Sequence, residues 1–336
     1  MNSKEFAKII GVSQSTISRA LNDSDLVSEE KKLYIRQKAI ELGFVLNSQA
    51  RSLKTNRTGN VGILFPKHFI GMHTNMTLSY LYDSIQKVLF KFGYDVMVIN
   101  DYGDLENIPV FERMVKQHKV DGFIILRRDL TEKEEELIRL YDIPYIYFLN
   151  VSSTSMDSDY CIADSEYGGW LAGSYLGQFK DYEMFYVDAT EKNTDSKDRI
   201  EGYRRGLKES GCFLHPENIV ECKLSISDAY ACIIRQKHKF CSRKTAIFAY
   251  NDMVAFSAVN ACKDMGLKIP EEVQIIGLGD IPLASTLVPR ISTIRIQIEE
   301  MAVIGCEILC NGIERKKMQN RQVKLKPELV LRETTL

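Results

Sequence analysis

At 336 residues, the chain has room for about two domains of roughly 150 residues each and for a substantial buried core. Its 45% hydrophobic and 26% charged residues match average globular usage, which excludes wholesale disorder, a coiled coil or a collagen-like rod. No apolar run approaches the roughly 18 residues of a membrane span, and Met1-Asn2-Ser3-Lys4-Glu5 lacks a basic stretch followed by an apolar one, so no membrane partner and a cytoplasmic location are expected.

The formal charge of −1 hides an uneven distribution. Residues 1–57 carry ten Lys or Arg against six Asp or Glu, and the remainder carries 34 against 39. A small basic module on a larger acidic body suits a polyanion partner for the first part, although surface scatter gives the same count. None of the eight cysteines shows C-x-x-C or zinc-finger spacing, so reduced thiols and no metal are expected; Cys306 and Cys310, one helical turn apart, read as core packing.

Three short helices are predicted first. Phe6, Ile9 and Ile10 form an apolar stripe that stops at Gly11. Ser13 caps a second segment in which Ile17, Ala20 and Leu21 share one side, leaving Gln14, Ser15, Ser18 and Arg19 on the other. A third runs from Ser28, with Glu29 and Glu30 at its positive start, to Gly43. This is the pattern of a helix-turn-helix unit. A helix fits the DNA major groove, where Gln pairs with adenine, Arg with guanine and Ser with either; a polar helix face also serves as plain solvated surface.

Residues 47–54 are helix-capable and hold Leu53 between Arg51 and Lys54. An apolar wedge flanked by cations suits a minor-groove element, and a linker with an incidental leucine reads the same way. From residue 61 apolar strands alternate with amphipathic helices. Strands are expected at 61–65, 94–99, 123–126 and 145–148 with helices near 77–92, 106–117 and 131–141, then strands at 184–187, 218–221, 246–249 and 273–276. Two such series predict an all-α headpiece followed by an α/β core of two doubly wound parallel-sheet subdomains, with a ligand crevice beyond the strands' carboxyl ends.

Four motifs in order, Gly11-Val-Ser-Gln-Ser-Thr-Ile-Ser-Arg-Ala-Leu-Asn22, Val27-Ser-Glu-Glu30, Ala39-Ile-Glu-Leu-Gly-Phe44 and Ala50-Arg-Ser-Leu-Lys54, resemble the headpiece of the lactose-repressor (LacI/GalR) family. The likeness continues through Val120-Asp-Gly-Phe-Ile-Ile125, Asp198-Arg-Ile-Glu-Gly-Tyr203, Ala246-Ile-Phe-Ala-Tyr-Asn-Asp-Met-Val254, Ile269-Pro-Glu-Glu-Val-Gln-Ile-Ile-Gly277 and Asp280-Ile-Pro-Leu-Ala284. It implies a periplasmic-binding-protein-like core whose chain crosses three times between two lobes. The expected division is a headpiece at 1–46, a hinge helix and linker at 47–58 and a core at 59–336. Within the core, one lobe takes 60–160 and 291–321 and the other 161–290 and 322–336.

The resemblance also implies roles. Residues matching Gln14, Ser15 and Arg19 read base edges, those matching Ser13, Thr16, Asn22 and Ser28 hold phosphates, and Leu53 matches the wedging hinge leucine, between Asn47 and Lys54 at the hinge's two ends. Leu46 stands where the family's proline precedes the hinge. For the effector, Arg199 matches the arginine that holds sugar hydroxyls or carboxylates, Asn251 precedes the family's aspartate Asp252, and Asp195 lies one turn before Arg199. Phe69 and Tyr250 could stack on a ligand; Trp170 reads as packing.

Three positions depart from the family. Gly279 replaces the first of two aspartates, leaving Asp280. Asn150 stands where many members have aspartate, and Asn75-Met-Thr-Leu78 replaces the usual first-lobe loop. The expected protein is a homodimeric, sequence-specific transcriptional repressor of operator DNA, controlled by a sugar or sugar phosphate. The alternatives are a regulator answering to a protein corepressor or to no ligand, and a solute-binding protein. No cofactor is expected and no enzyme: there is no P-loop, Gly-x-Ser-x-Gly or His-Glu-x-x-His, and His68, His73, His118, His215 and His238 fall in separate segments.

Overall fold

Asn2 opens the first helix, α1 (Ser3–Ile10), with a reciprocal cap: its side chain accepts from the Glu5 amide while Glu5 accepts from the Asn2 amide. The computed structural model describes residues 1–21, 24–44, 57–66, 76–99, 108–127, 129–149, 151, 157–190, 194–316 and 321–336. A turn at Gly11 leads to α2 (Gln14–Leu21), and α3 (Glu29–Glu41) closes the unit. Phe6, Ile10, Ile17, Ala20, Val27, Ile35, Ala39 and Phe44 form its core, with the Phe6 and Phe44 rings stacked at 4.1 Å. Ile9, expected on the buried stripe, is 61% exposed. At 100° per residue the Phe6–Ala7–Ile10 face is centred well away from it, and Ala7 fills the place it was given.

The first lobe contains β1 (Asn60–Leu64), α4 (Met76–Lys91), β2 (Asp95–Ile99), α5 (Val110–Lys116), β3 (Gly122–Ile125), α6 (Glu132–Tyr141), β4 (Tyr145–Phe148) and β5 (Tyr160–Ala163). The second contains α7 (Ser165–Leu176), β6 (Glu183–Ala189), α8 (Thr194–Glu209), β7 (Ile219–Cys222), α9 (Ile226–Ile234), α10 (Lys237–Phe240), β8 (Thr245–Ala249), α11 (Asp252–Asp264), β9 (Val273–Gly279), α12 (Pro282–Thr286) and β10 (Ser292–Arg295). The chain then runs through α13 (Ile298–Ile313), β11 (Gln322–Leu325) and β12 (Glu328–Val330).

The sheet orders are β11-β5-β4-β3-β1-β2 and β12-β10-β9-β8-β6-β7. Every pairing in the first sheet is parallel. In the second only β12 runs antiparallel. Strands β3, β8 and β9 are buried throughout because apolar clusters cover both faces of each sheet. Cys306 and Cys310 pack in one of these clusters.

The chain passes between the lobes near 163–165, 295–298 and 325–328. These points differ from the expected ones. Residues 161–163 complete β5 of the first sheet, 292–295 stay in the second sheet as β10, and 322–325 join the first as β11 before the return. Strands of three or four residues with polar positions, such as Gln322 and Lys324 in β11, carry too little apolar pattern to be seen in sequence. The expected headpiece boundary at 46 and residues 47–56 of the expected hinge and linker lie outside the described residues; the Thr58 and Gly59 amides each donate to Asp121 at 2.7 Å.

Helices α7 and α8 touch backbone to backbone. A Cβ on Gly169 would run into the Arg199 carbonyl oxygen and one on Gly202 into that of Glu166, so only glycine permits this approach. The closely packed pair begins at the first crossing. Gly202→Ala is expected to destabilise the core by about 1–3 kcal/mol through overpacking, read by chemical denaturation; an unchanged midpoint would contradict the contact.

Candidate functional sites

Ser13 accepts from the Thr16 amide at 3.1 Å and so caps α2; its hydroxyl also meets those of Ser15 and Thr16, each at 2.8 Å. Gln14, Ser15 and Arg19 are exposed on the side opposite buried Ile17 and Ala20. Ser28 sits at the start of α3 with extended backbone, but its side chain makes no cap bond. A face of one amide, one guanidinium and several hydroxyls can offer directed hydrogen bonds to base edges and phosphates. Asn22, Asn47, Leu53 and Lys54 lie outside the described residues.

The second site follows from strand direction. Strands β5 and β11 leave the first sheet from their carboxyl ends into the second lobe, and β10 leaves the second sheet from its carboxyl end into the first. Because the ladders are parallel, the carboxyl ends of β1, β3 and β4 face those of β6, β8 and β9 across a cleft. Among the described residues the two walls approach at Gly279, where a Cβ would lie 3.5 Å from Thr77 Oγ1 of α4.

On the second-lobe wall Arg199 is 4% exposed. Its Nη1 donates to the Tyr250 carbonyl at 2.7 Å, and its guanidinium carbon stands 4.5 Å from the centre of the Tyr250 ring. Burial alone would lower its pKa; Tyr186, Tyr250, Asp195 and Asp188 around it raise it instead. Asp195 shares α8 with Arg199 and accepts from Ser165 Oγ at 3.2 Å. Burial pushes its carboxyl up to about 6, Arg199 and Ser165 only partly opposing. The expected grouping of Asp195, Arg199 and Tyr250 is thus present in space.

Two further expected ligand residues make contacts within the protein. The Asn251 side-chain oxygen caps α11 by accepting from the Val254 amide at 2.9 Å. Asp280 is 8% exposed at its side chain and accepts from Arg295 Nε at 2.7 Å and Arg332 Nη2 at 2.6 Å, so both of its oxygens are held by arginines from the second crossing and the C-terminal segment. Phe69 and Asn150 lie outside the described residues. Gly279 adopts φ 131°, a region strained for any residue with a side chain. Trp170 donates to Glu209 at 2.7 Å and stacks on Tyr167, a packing role between α7 and α8.

Asp188 and Tyr186 at the cleft end escape a reading of the sequence, which names Asp252 only as the family's aspartate. Asp188 ends β6, where its Oδ1 accepts from Ser196 Oγ and the Ala189 amide, each at 2.8 Å. Asp252 is 2% exposed, accepts from Thr293 Oγ1 at 2.5 Å and the Ile281 amide at 2.9 Å, and burial pushes it up to about 6. Tyr186 is fully buried near Arg199. A charged residue closing an apolar strand is the available signal for Asp188. A hollow of about 1330 Å³ lies elsewhere, at the amino ends of the first sheet, with Arg57, Asp121, Pro144, Asp159 and Arg321 in its wall; the titratable cluster marks the cleft instead.

Residues 4–47 match the family model described as bacterial regulatory proteins, lacI family, and residues 179–335 match that of a periplasmic binding protein-like domain. The HTH-type transcriptional repressor PurR of Vibrio vulnificus (strain CMCP6) is 30% identical over 335 residues, covering 98% of this chain and 97% of the relative. Among solved structures, the lac repressor dimer bound to operator and the anti-inducer ONPF superposes with a TM-score of 0.77 at 18% identity, covering 98% of each chain. The transcriptional regulator CelR–cellobiose complex gives 0.72 at 19% identity, covering 99% of each.

Asp195 supplies a pH test. Its pKa rises from 3.8 to about 6 on folding, so the stability it contributes is full below about pH 4 and is lost as pH climbs through 6, at about 1.4 kcal/mol for each pH unit separating the unfolded and folded values. Asp195→Asn lacks that loss. Its melting temperature relative to the unsubstituted protein is therefore expected to rise between about pH 4.5 and 7.5, and a constant difference would contradict the burial.

Proposed function

The chain belongs to the lacI family of bacterial regulatory proteins, and from that premise we propose how this DNA-binding transcriptional repressor works. It is a cytoplasmic homodimer, without enzymatic activity or cofactor, whose hold on operator DNA is set by a sugar-like effector in the cleft between its lobes. Among the described helices none is long and apolar enough to cross a membrane. The observation that carries the reading is the pairing, in one polypeptide, of the polar Gln14–Ser15–Arg19 face with a cleft built around buried Arg199.

On DNA, α2 enters the major groove. Gln14, Ser15 and Arg19 read bases, while Ser13, Thr16, Asn22 and Ser28 hold phosphates that fix register. Leu53, with Asn47 and Lys54 at the ends of the hinge, opens a base step in the minor groove, so DNA deformability adds to specificity. One headpiece offers too few contacts for tight binding, and a two-fold pair on a palindromic site doubles them. The effector acts by binding one lobe arrangement more tightly than the other; rotation about the three crossings then changes the separation of the paired headpieces. The relatives named PurR are described as repressors, and the CelR structure as holding cellobiose, which supports a carbohydrate or a related metabolite here.

Selection of bound duplexes from a randomised pool, repeated with Arg19→Ala, tests the reader. The variant is expected to relax preference at one base pair by about 1–3 kcal/mol; an unaltered motif would remove Arg19 from the base contacts. Leu53→Ala is expected to weaken operator binding while effector affinity holds, and equal operator affinity would remove the wedge.

A further inference from the structure

Of the eight cysteines, six are buried and two meet solvent: Cys241 is exposed and Cys212 half-buried. Cys212 lies in the turn after α8, and Lys180 in the turn after α7. The close, parallel approach of these helices brings the two turns together, since a Cβ on Gly177 would run into Ser210. Lys180 Nζ donates to the Gly177 carbonyl at 2.8 Å and to Cys212 Sγ at 3.6 Å. The Cys212 thiol donates to the same carbonyl at 3.4 Å. A lysine on the carbonyl that closes a helix is an ordinary cap. The cap accounts for the lysine; it does not account for an accessible thiol held against the amine.

Peroxide oxidises cysteines according to thiolate character and access, and the sulfenic acid it leaves is captured by a nearby nucleophile, either a thiol or a nitrogen. At Cys212 the nucleophile within reach is an amine on an exposed stem of four carbons, flexible enough to close the remaining distance. We infer that Cys212 and Lys180 form a modification site for hydroperoxides, which join Sγ to Nζ in a reversible sulfenamide.

The chemistry balances in two steps. The Cys212 thiolate attacks one peroxide oxygen, the O–O bond breaks and the other oxygen leaves as water, which gives the sulfenic acid. The uncharged Lys180 amine then attacks sulfur; the N–S bond forms, and the sulfenic hydroxyl leaves with an amine proton as a second water. Thiol and amine together lose two hydrogens, and one peroxide is reduced to two waters. The bond fastens α7 to α8 at the ends opposite those that carry Ser165, at the first crossing, and Asp195, in the cleft. A thiol reductant reopens it.

The test treats the full chain with hydrogen peroxide, alkylates the remaining free thiols and maps the peptides by mass spectrometry. Cys241 is the reference thiol that shows the oxidant has acted. The expected product joins the Cys212 and Lys180 peptides at a mass two hydrogens below their sum, and dithiothreitol abolishes it. In Lys180→Arg the joined peptide is expected to be absent. With dimedone present during the treatment, which traps sulfenic acids, Cys212 of that variant is expected to be labelled instead. Because the Lys180 side chain is exposed, the variant keeps the fold, as its melting transition checks. Three results would overturn the inference: oxidised Cys241 without the joined peptide, a Cys212 that dimedone never labels in Lys180→Arg, or a joined peptide one oxygen heavier than the sulfenamide.

Discussion

A guanidinium taken almost wholly out of water is costly unless its surroundings are arranged for it. At Arg199 the arrangement consists of the Tyr250 carbonyl and ring, the nearby Asp195 and Asp188 carboxyls, and a helix that cannot shift. That last condition falls to glycine. With Gly169 and Gly202 bringing α7 and α8 into backbone contact, the element bearing Arg199 is bolted to the segment that emerges from the first crossing. Arg199 is therefore tied through α7 to the point where one lobe becomes the other.

The parallel sheets supply the second half of the device. Their carboxyl ends confront one another, and the three crossings join them at strands β5, β10 and β11 near the sheet edges. Asp280 is locked between Arg295 at the second crossing and Arg332 near the C-terminus, so it ties the second crossing to the C-terminal segment.

Much of this is legible in sequence. Long apolar runs mark β1 to β4 and β6 to β9, and the polar side of α2 stands out because Ile17 and Ala20 fix which face is inward. The resemblance places Arg199, Asp195 and Tyr250 near one another, although their residue types alone read as caps or surface charges. What stays hidden depends on long-range geometry. The short strands at the crossings have no periodicity of their own. Asn251 reads alike as a cap or a contact until its helix is seen, and the fate of Asp280 turns on arginines 15 and 52 residues away. Tyr186 looks like another apolar strand residue, since only its buried hydroxyl beside Arg199 sets it apart.

Sensing and reading are thus separable in space yet coupled in free energy. The most direct measurement is operator affinity as a function of effector concentration in two single variants, one in each part. With that coupling, a folded Arg199→Gln protein, checked by its melting transition, no longer responds to effector, whereas Arg19→Ala binds the operator more weakly yet responds by the same factor as the unsubstituted chain. An Arg199→Gln protein whose operator affinity still follows effector concentration would contradict a sensor centred on this arginine.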